Sequence, residues 1–219
     1  MTQDLAWRLA AILFAPALGA LAGVLSVRLP ALPDDVRWPS WTRLAVMAAA
    51  GLLAGVWAAW ALEGPLSLIG AALGVGLLLI AVVDAEHFWL PNLFTLPLGA
   101  AGLMASAIFG PGQFIDHLIG AAVGFLALAA LGALYKRLRG REGLGGGDAR
   151  LLAAIGAWVG WAGLPTVLVW GSAAGLSWVV ARAVARRALR RDEPLPYGVC
   201  LALGAWLTWL YGPLGRAGW

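Results

Sequence analysis

Charge is scarce in this chain: only 12% of its 219 residues are Asp, Glu, Lys or Arg, about half the share of an ordinary soluble domain. So few charges cannot clothe a water-facing surface of this size, which argues against a soluble globular domain. Cysteine is nearly absent as well. The one thiol, Cys200, forms neither an internal disulfide nor a CxxC pair, and a tetrathiolate zinc site is excluded by ligand count. Histidine is limited to His87 and His117. No polar stretch is long enough for a separate soluble domain. The apolar segment at 9–27 is not followed by a small-residue cleavage site and a polar mature chain, so we expect it to be a first span rather than a removed signal.

What is present is hydrocarbon. Apolar residues make up 62% of the chain, with 30 glycines and 13 tryptophans. Crossing a bilayer takes about 20 apolar residues in helical form. Uncharged apolar segments run over 9–27, 44–62, 64–83, 90–109, 118–135, 151–181 and 195–215. The sixth is long enough to be doubled at Gly163-Leu164-Pro165, where glycine and proline punctuate a turn. The expected fold is therefore all-α: a polytopic membrane protein of about eight transmembrane helices, forming one domain over 1–219.

The basic residues set the orientation. Arg28, Arg37 and Arg43 follow the first span, Lys136, Arg137, Arg139, Arg141 and Arg150 the fifth, and Arg182, Arg186, Arg187, Arg190 and Arg191 the seventh. With eight spans these clusters share one side, the cytoplasmic one, and both termini lie outside. The net charge of +4 thus reports topology and anionic lipid contact rather than nucleic acid. Tryptophans such as Trp38, Trp41, Trp89, Trp158 and Trp161 read as interfacial anchors. Gly51, Gly55, Gly70, Gly74 and Gly76 read as sites of close helix packing, and His117 with Asp116 as a polar pair in an external loop.

Acids at span ends are costly and suggest function. Asp84 closes the third span, and Asp148 follows Gly145-Gly146-Gly147 at the start of the sixth. The topology puts both at the cytoplasmic boundary, one depth for two carboxylates. Neighbouring carboxyls cannot both ionise cheaply, so one keeps a proton while the other stays anionic, an acid and a base around one water. Each residue also has a simpler reading: Asp84 as an interfacial carboxylate that snorkels or pairs with a basic loop residue, Asp148 as a helix N-cap. Gly143, Gly145, Gly146 and Gly147 permit close backbone approach and positive φ, as a peptide passing beside Asp148 would require. A Walker loop is ruled out, because Asp148 and Ala149 stand where Lys and Ser or Thr would be needed. Asp84, Glu86 and His87 are too close in sequence to converge on one metal.

The Gly145-x-Gly147-Asp148 signature, followed by Arg150-Leu151-Leu152-Ala153-Ala154-Ile155-Gly156-Ala157-Trp158, resembles bacterial type IV prepilin peptidases. The likeness continues through Asp84-Ala85-Glu86-His87, Leu90-Pro91-Asn92, Lys136, Glu142-Gly143 and Pro194-Leu195-Pro196-Tyr197-Gly198, and covers roughly 10–212. It implies that Asp84 and Asp148 are catalytic, without metal or cofactor, in a bacterial inner-membrane aspartyl protease. The implied substrates are type IV prepilins and type II secretion pseudopilins, cut after a glycine that ends a short basic leader. Gly145, Gly146, Gly147 and Arg150 become candidate substrate contacts, and Glu86 and Glu142 candidates to meet leader cations. Three departures stand out. The loop at 29–42 is short and lacks the two CxxC pairs that many family members carry, which argues against N-methylation. Arg150 replaces a usual lysine, and Tyr197-Gly198-Val199 a usual Phe-Gly-Pro. Competing readings are a proton-coupled transporter, which would favour repeats and mid-membrane acids, and a noncatalytic assembly subunit indifferent to loss of either aspartate.

Overall fold

A computed structural model of the chain describes residues 2–29, 38–140, 145–185 and 196–214. Among these the regular elements are helices: α1 (Thr2–Arg28), α2 (Trp41–Ala61), α3 (Pro65–His87), α4 (Asn92–Phe109), α5 (Phe114–Arg139), α6 (Gly146–Val184) and α7 (Tyr197–Tyr211), with a 3-10 turn at Pro111–Gln113. Helices α1 to α6 are long and apolar enough to cross a membrane, and α7 is a shorter apolar helix. The chain divides into two compact units, Met1–Val83 and Asp84–Trp219.

In the first unit α1 and α2 lie antiparallel and nearly backbone to backbone. A Cβ on Gly55 would lie 2.6 Å from Ala15 Cβ and 2.7 Å from the Ala11 carbonyl, and one on Gly51 would strike the Ala15 carbonyl. Small residues therefore set the spacing, as lipid-embedded helices require. The ends of the pair are pinned by polar contacts. Asp4 accepts from Arg8 Nε at 2.8 Å and from the Gly64 amide at 2.6 Å. At the other end Arg43 donates to Ser26 Oγ at 2.9 Å, and Arg28 stacks on Trp38 at 3.6 Å.

The second unit is organised around α6. Gly99 and Gly102 of α4 face Ala154 and Ala157, so α4 and the start of α6 run parallel. Helix α5 runs antiparallel to it, with Gly120 on Gly156 and Gly124 on Leu152. The assigned α6 is then broken at Gly160, whose φ of 65° and ψ of 175° are not helical. Beyond the break the contacts pair Gly163 with Thr208, Val167 with Gly204, and Gly171 with Cys200 of α7. Since Gly198, at the start of α7, rests on Asp84, residues 161–184 descend toward the end from which 146–159 rose. Helix α6 is a hairpin, and the described chain holds eight helical rods. The reversal falls at Gly160, not at Gly163-Leu164-Pro165 as the sequence suggested; Pro165 is accommodated inside the descending rod. Only glycine takes up this positive φ without steric cost.

Two further expectations are corrected here. His117 is not in a loop: it is buried in α5, where its Nδ1–H donates to the Ala157 carbonyl at 3.0 Å. That carbonyl lies within the last turn before the break, where intrahelical partners run out. Asp116 holds the other side of the break, accepting from Trp161 Nε1 at 3.3 Å. Trp158 is a core residue rather than an interfacial anchor, 5% exposed. Its Nε1 donates to the Leu98 carbonyl at 2.8 Å, and its ring meets Trp209 edge-on at 5.3 Å.

At Gly124 a Cβ would come within 2.5 Å of the Leu152 carbonyl, so Gly124→Val must push α5 off α6. We expect a loss of roughly 1–3 kcal/mol, read as a lower Tm of the purified protein in detergent; an unchanged Tm would refute this packing.

Candidate functional site

Helix α3 carries Asp84 in its last turn. After a short connection that includes Phe88 with φ of 51°, the chain returns as α4 with Leu90 buried. Asp84 is the one buried carboxylic acid among the described residues, 5% exposed. It is met by backbone. The Val199 amide donates to Asp84 Oδ2 at 3.2 Å, and the Gly198 amide also faces this carboxylate. These are among the first amides of α7, whose N-cap position is filled by Pro196, without a side-chain cap. Asp84 therefore caps α7 from another helix, satisfying amides that have no intrahelical partner and placing its charge at the positive end of the helix dipole.

Gly198 makes this approach possible. A Cβ there would sit 2.7 Å from Asp84 Oδ2 and 3.1 Å from Leu90 Cδ1. Leu90 also presses on Gly147, where a Cβ would lie 2.8 Å from Leu90 Cβ. The α3 end, the start of α6 and the start of α7 are thus drawn together around one leucine.

Asp148 enters from α6 and is partly buried. It is the third residue of the helix and Gly145 is the N-cap, so Asp148 is not itself the cap. Its carboxylate turns back toward Gly145: a Cβ on that glycine would lie 3.4 Å from Oδ2, and the Gly145 amide faces the carboxylate, as in a capping box. Asp148 also lies within electrostatic reach of Asp84. Among the described residues neither aspartate has an ion-pair partner.

The glycines divide by role. Gly147 gives room to Leu90, whereas a Cβ on Gly146 would meet nothing within 4 Å. None of Gly145, Gly146 and Gly147 has positive φ, so that expectation is corrected; Gly143 and Glu142 lie outside the described residues. Gly145 and Gly146 are exposed. With Ala149 and with Phe125, Leu128 and Lys136 of α5 they line a cavity of about 260 Å³ beside the Asp148 turn.

Two expected site residues are not brought to the aspartates. Glu86 and Arg150 each follow an aspartate by two positions in a helix, which turns a side chain by about 200°. Glu86 is exposed, and Arg150 lines a different cavity. Among the described residues no group of three or more His, Cys, Asp or Glu converges on one point. The amides of Gly198 and Val199 were missed as site groups. A proline at the N-cap position of α7, unable to cap with its own side chain, was the available signal.

This site, two acids brought together at the ends of apolar helices, defines a polytopic membrane protein with a carboxylate pair. The chain belongs to the type IV leader peptidase family, which matches residues 71–180. It is 40% identical over 182 residues to a prepilin leader peptidase/N-methyltransferase of Burkholderia pseudomallei, covering 82% of this chain and 56% of that protein. Proteins of the same name from Dichelobacter nodosus and Pseudomonas aeruginosa are 44% and 38% identical, over 68% and 63% of this chain and 50% and 47% of theirs. The chain thus spans about half the length of these relatives. No solved structure gives a significant match.

If Asp84 caps α7, an acceptor rather than a charge is the minimum requirement. Asp84→Ala should be less stable than Asp84→Asn by about 1 kcal/mol, the usual worth of a cap, seen as a lower Tm in detergent. Equal stability of the two variants would remove the capping role.

Proposed function

We propose that the chain acts over residues 1–219 as one membrane-embedded aspartyl endopeptidase. It removes the short basic leader from type IV prepilins or type II secretion pseudopilins at the cytoplasmic face of the bacterial inner membrane. The observation that carries this reading is the pairing of Asp84 with Asp148, without a cation on either among the described residues. Family membership supports the reaction class. The hairpin in α6 supports an even number of crossings, with both termini periplasmic and the basic loops cytoplasmic.

The two aspartates are met differently, Asp84 by amides at the N-terminus of α7 and Asp148 by its own helix start, and in this reading their roles divide accordingly. Asp84 is the base and Asp148 carries the shared proton. A water between them loses a proton to Asp84 as its oxygen adds to the scissile carbonyl, and Asp148 donates to the carbonyl oxygen. As the tetrahedral intermediate collapses, the amine leaves with the proton held by Asp84 and a hydroxyl proton of the intermediate returns to Asp148, which restores the pair. The exposed backbone at Gly145 and Gly146 gives an extended peptide somewhere to lie beside Asp148. We expect leader removal without N-methylation, since 29–42 offers no cysteine. A proton-coupled transporter is the lesser reading, because both acids stand at helix ends rather than mid-span.

Coexpression with a prepilin and a gel shift for leader loss tests the proposal. Asp84→Asn and Asp148→Asn should each cut cleavage at least ~100-fold, with the protein still inserted in the membrane and a chelator without effect. Normal cleavage by either variant would end the aspartyl mechanism, and inhibition by chelator reversed by a divalent metal would replace it. Gly198→Ala, by displacing Asp84, should lower kcat at least ~10-fold with little change in KM.

A further inference from the structure

A second cavity, of about 310 Å³, lies between α4, α5 and the rising rod of α6. Its walls are mostly small and apolar, including Gly99, Leu103, Ala121 and Ala153. Two of its lining residues, Thr95 and Arg150, are different in kind. Thr95 is 2% exposed and its Oγ1 is buried without a hydrogen-bond partner, and Arg150 Nε is likewise buried and unpartnered among the described residues. Leaving such atoms unmet in a nonaqueous setting is costly, so their position on a cavity wall points to a ligand.

The two polar groups lie at one end. Helices α4 and 146–159 run parallel in a register that sets Gly99 on Ala154, which puts Thr95 level with Arg150. From there the lining residues Leu103 and Ala157 are eight and seven positions further on, about 10–12 Å at helical rise. The cavity is polar at the end that carries Asp148 and apolar along the remainder. The guanidinium is a donor only, and it stands in the first turns of α6, level with the first turn of α4, where helix dipoles are positive. The polar end therefore selects an anion. Asp148, the nearby acid, points about 200° away around α6.

We propose that the α4–α5–α6 cavity is a binding site for one anionic phospholipid, its phosphate met by Arg150 and Thr95 and one acyl chain lying along Gly99, Leu103, Ala121 and Ala153. The site is separate from the aspartate pair and does not depend on the protease reading.

Native mass spectrometry of the purified full chain, titrated with phosphatidylglycerol or phosphatidylcholine of identical acyl chains, tests it. The parent should hold one phosphatidylglycerol about tenfold more tightly than phosphatidylcholine, the order expected for a charge-assisted contact. Arg150→Gln should reduce that preference to less than about twofold, and Arg150→Lys should keep most of it, since the point charge survives. Ala153→Leu, which fills the apolar part, should weaken both lipids. Equal binding of the two lipids by the parent, or a preference untouched by Arg150→Gln, overturns the proposal. So does a photocrosslinker at position 153 that captures an apolar substrate helix rather than lipid.

Discussion

A carboxylate withdrawn from water has to be met by something, and in this chain Asp84 is met by the open end of a helix. Its contact with the Val199 amide joins the end of α3 to the start of α7, and both share Leu90 with the glycine turn before Asp148. Among the described residues that amide and its neighbour at Gly198 are the donors that meet Asp84. The contact also separates two chemically identical side chains. One is met by fixed amides of another helix, and the other turns back toward its own helix start.

Glycine makes the rest of the second unit possible. Helices in lipid gain little from excluding water between them, so close backbone contact carries the packing. Gly120 and Gly124 let α5 lie on the rising rod of α6, and Gly204 and Gly171 let α7 lie on the descending one. The reversal at Gly160 is what brings residues 161–184, and with them α7, back to the aspartate end. Its free carbonyl and its outer face are secured by His117 and Trp161. The fold and the site therefore depend on one break in a helix.

Much of this was legible in the sequence for a physical reason: hydrophobic length and the side preference of basic loops are strong signals in a bilayer. Seven apolar stretches and the doubled sixth emerged from them. The break was misplaced by three residues because Pro165 looked the stronger punctuator, whereas the reversal needed positive φ, which Gly160 supplies. His117 was read as a loop residue because its partner, the Ala157 carbonyl, exists only once α6 is broken. The roles expected for Glu86 and Arg150 followed from nearness in sequence, but a helix turns such neighbours to opposite sides. The amides of Gly198 and Val199 carry no side-chain signature, so only the folded geometry reveals them.

The central claim is that two acids divide one proton between them around a water. The dependence of kcat/KM on pH for leader removal by the purified protein in lipid tests it most directly. One limb should report the acid that must be ionised and the other the acid that must stay protonated, giving a bell-shaped profile. A profile with a single limb, or one flat across the acid range, would contradict the account.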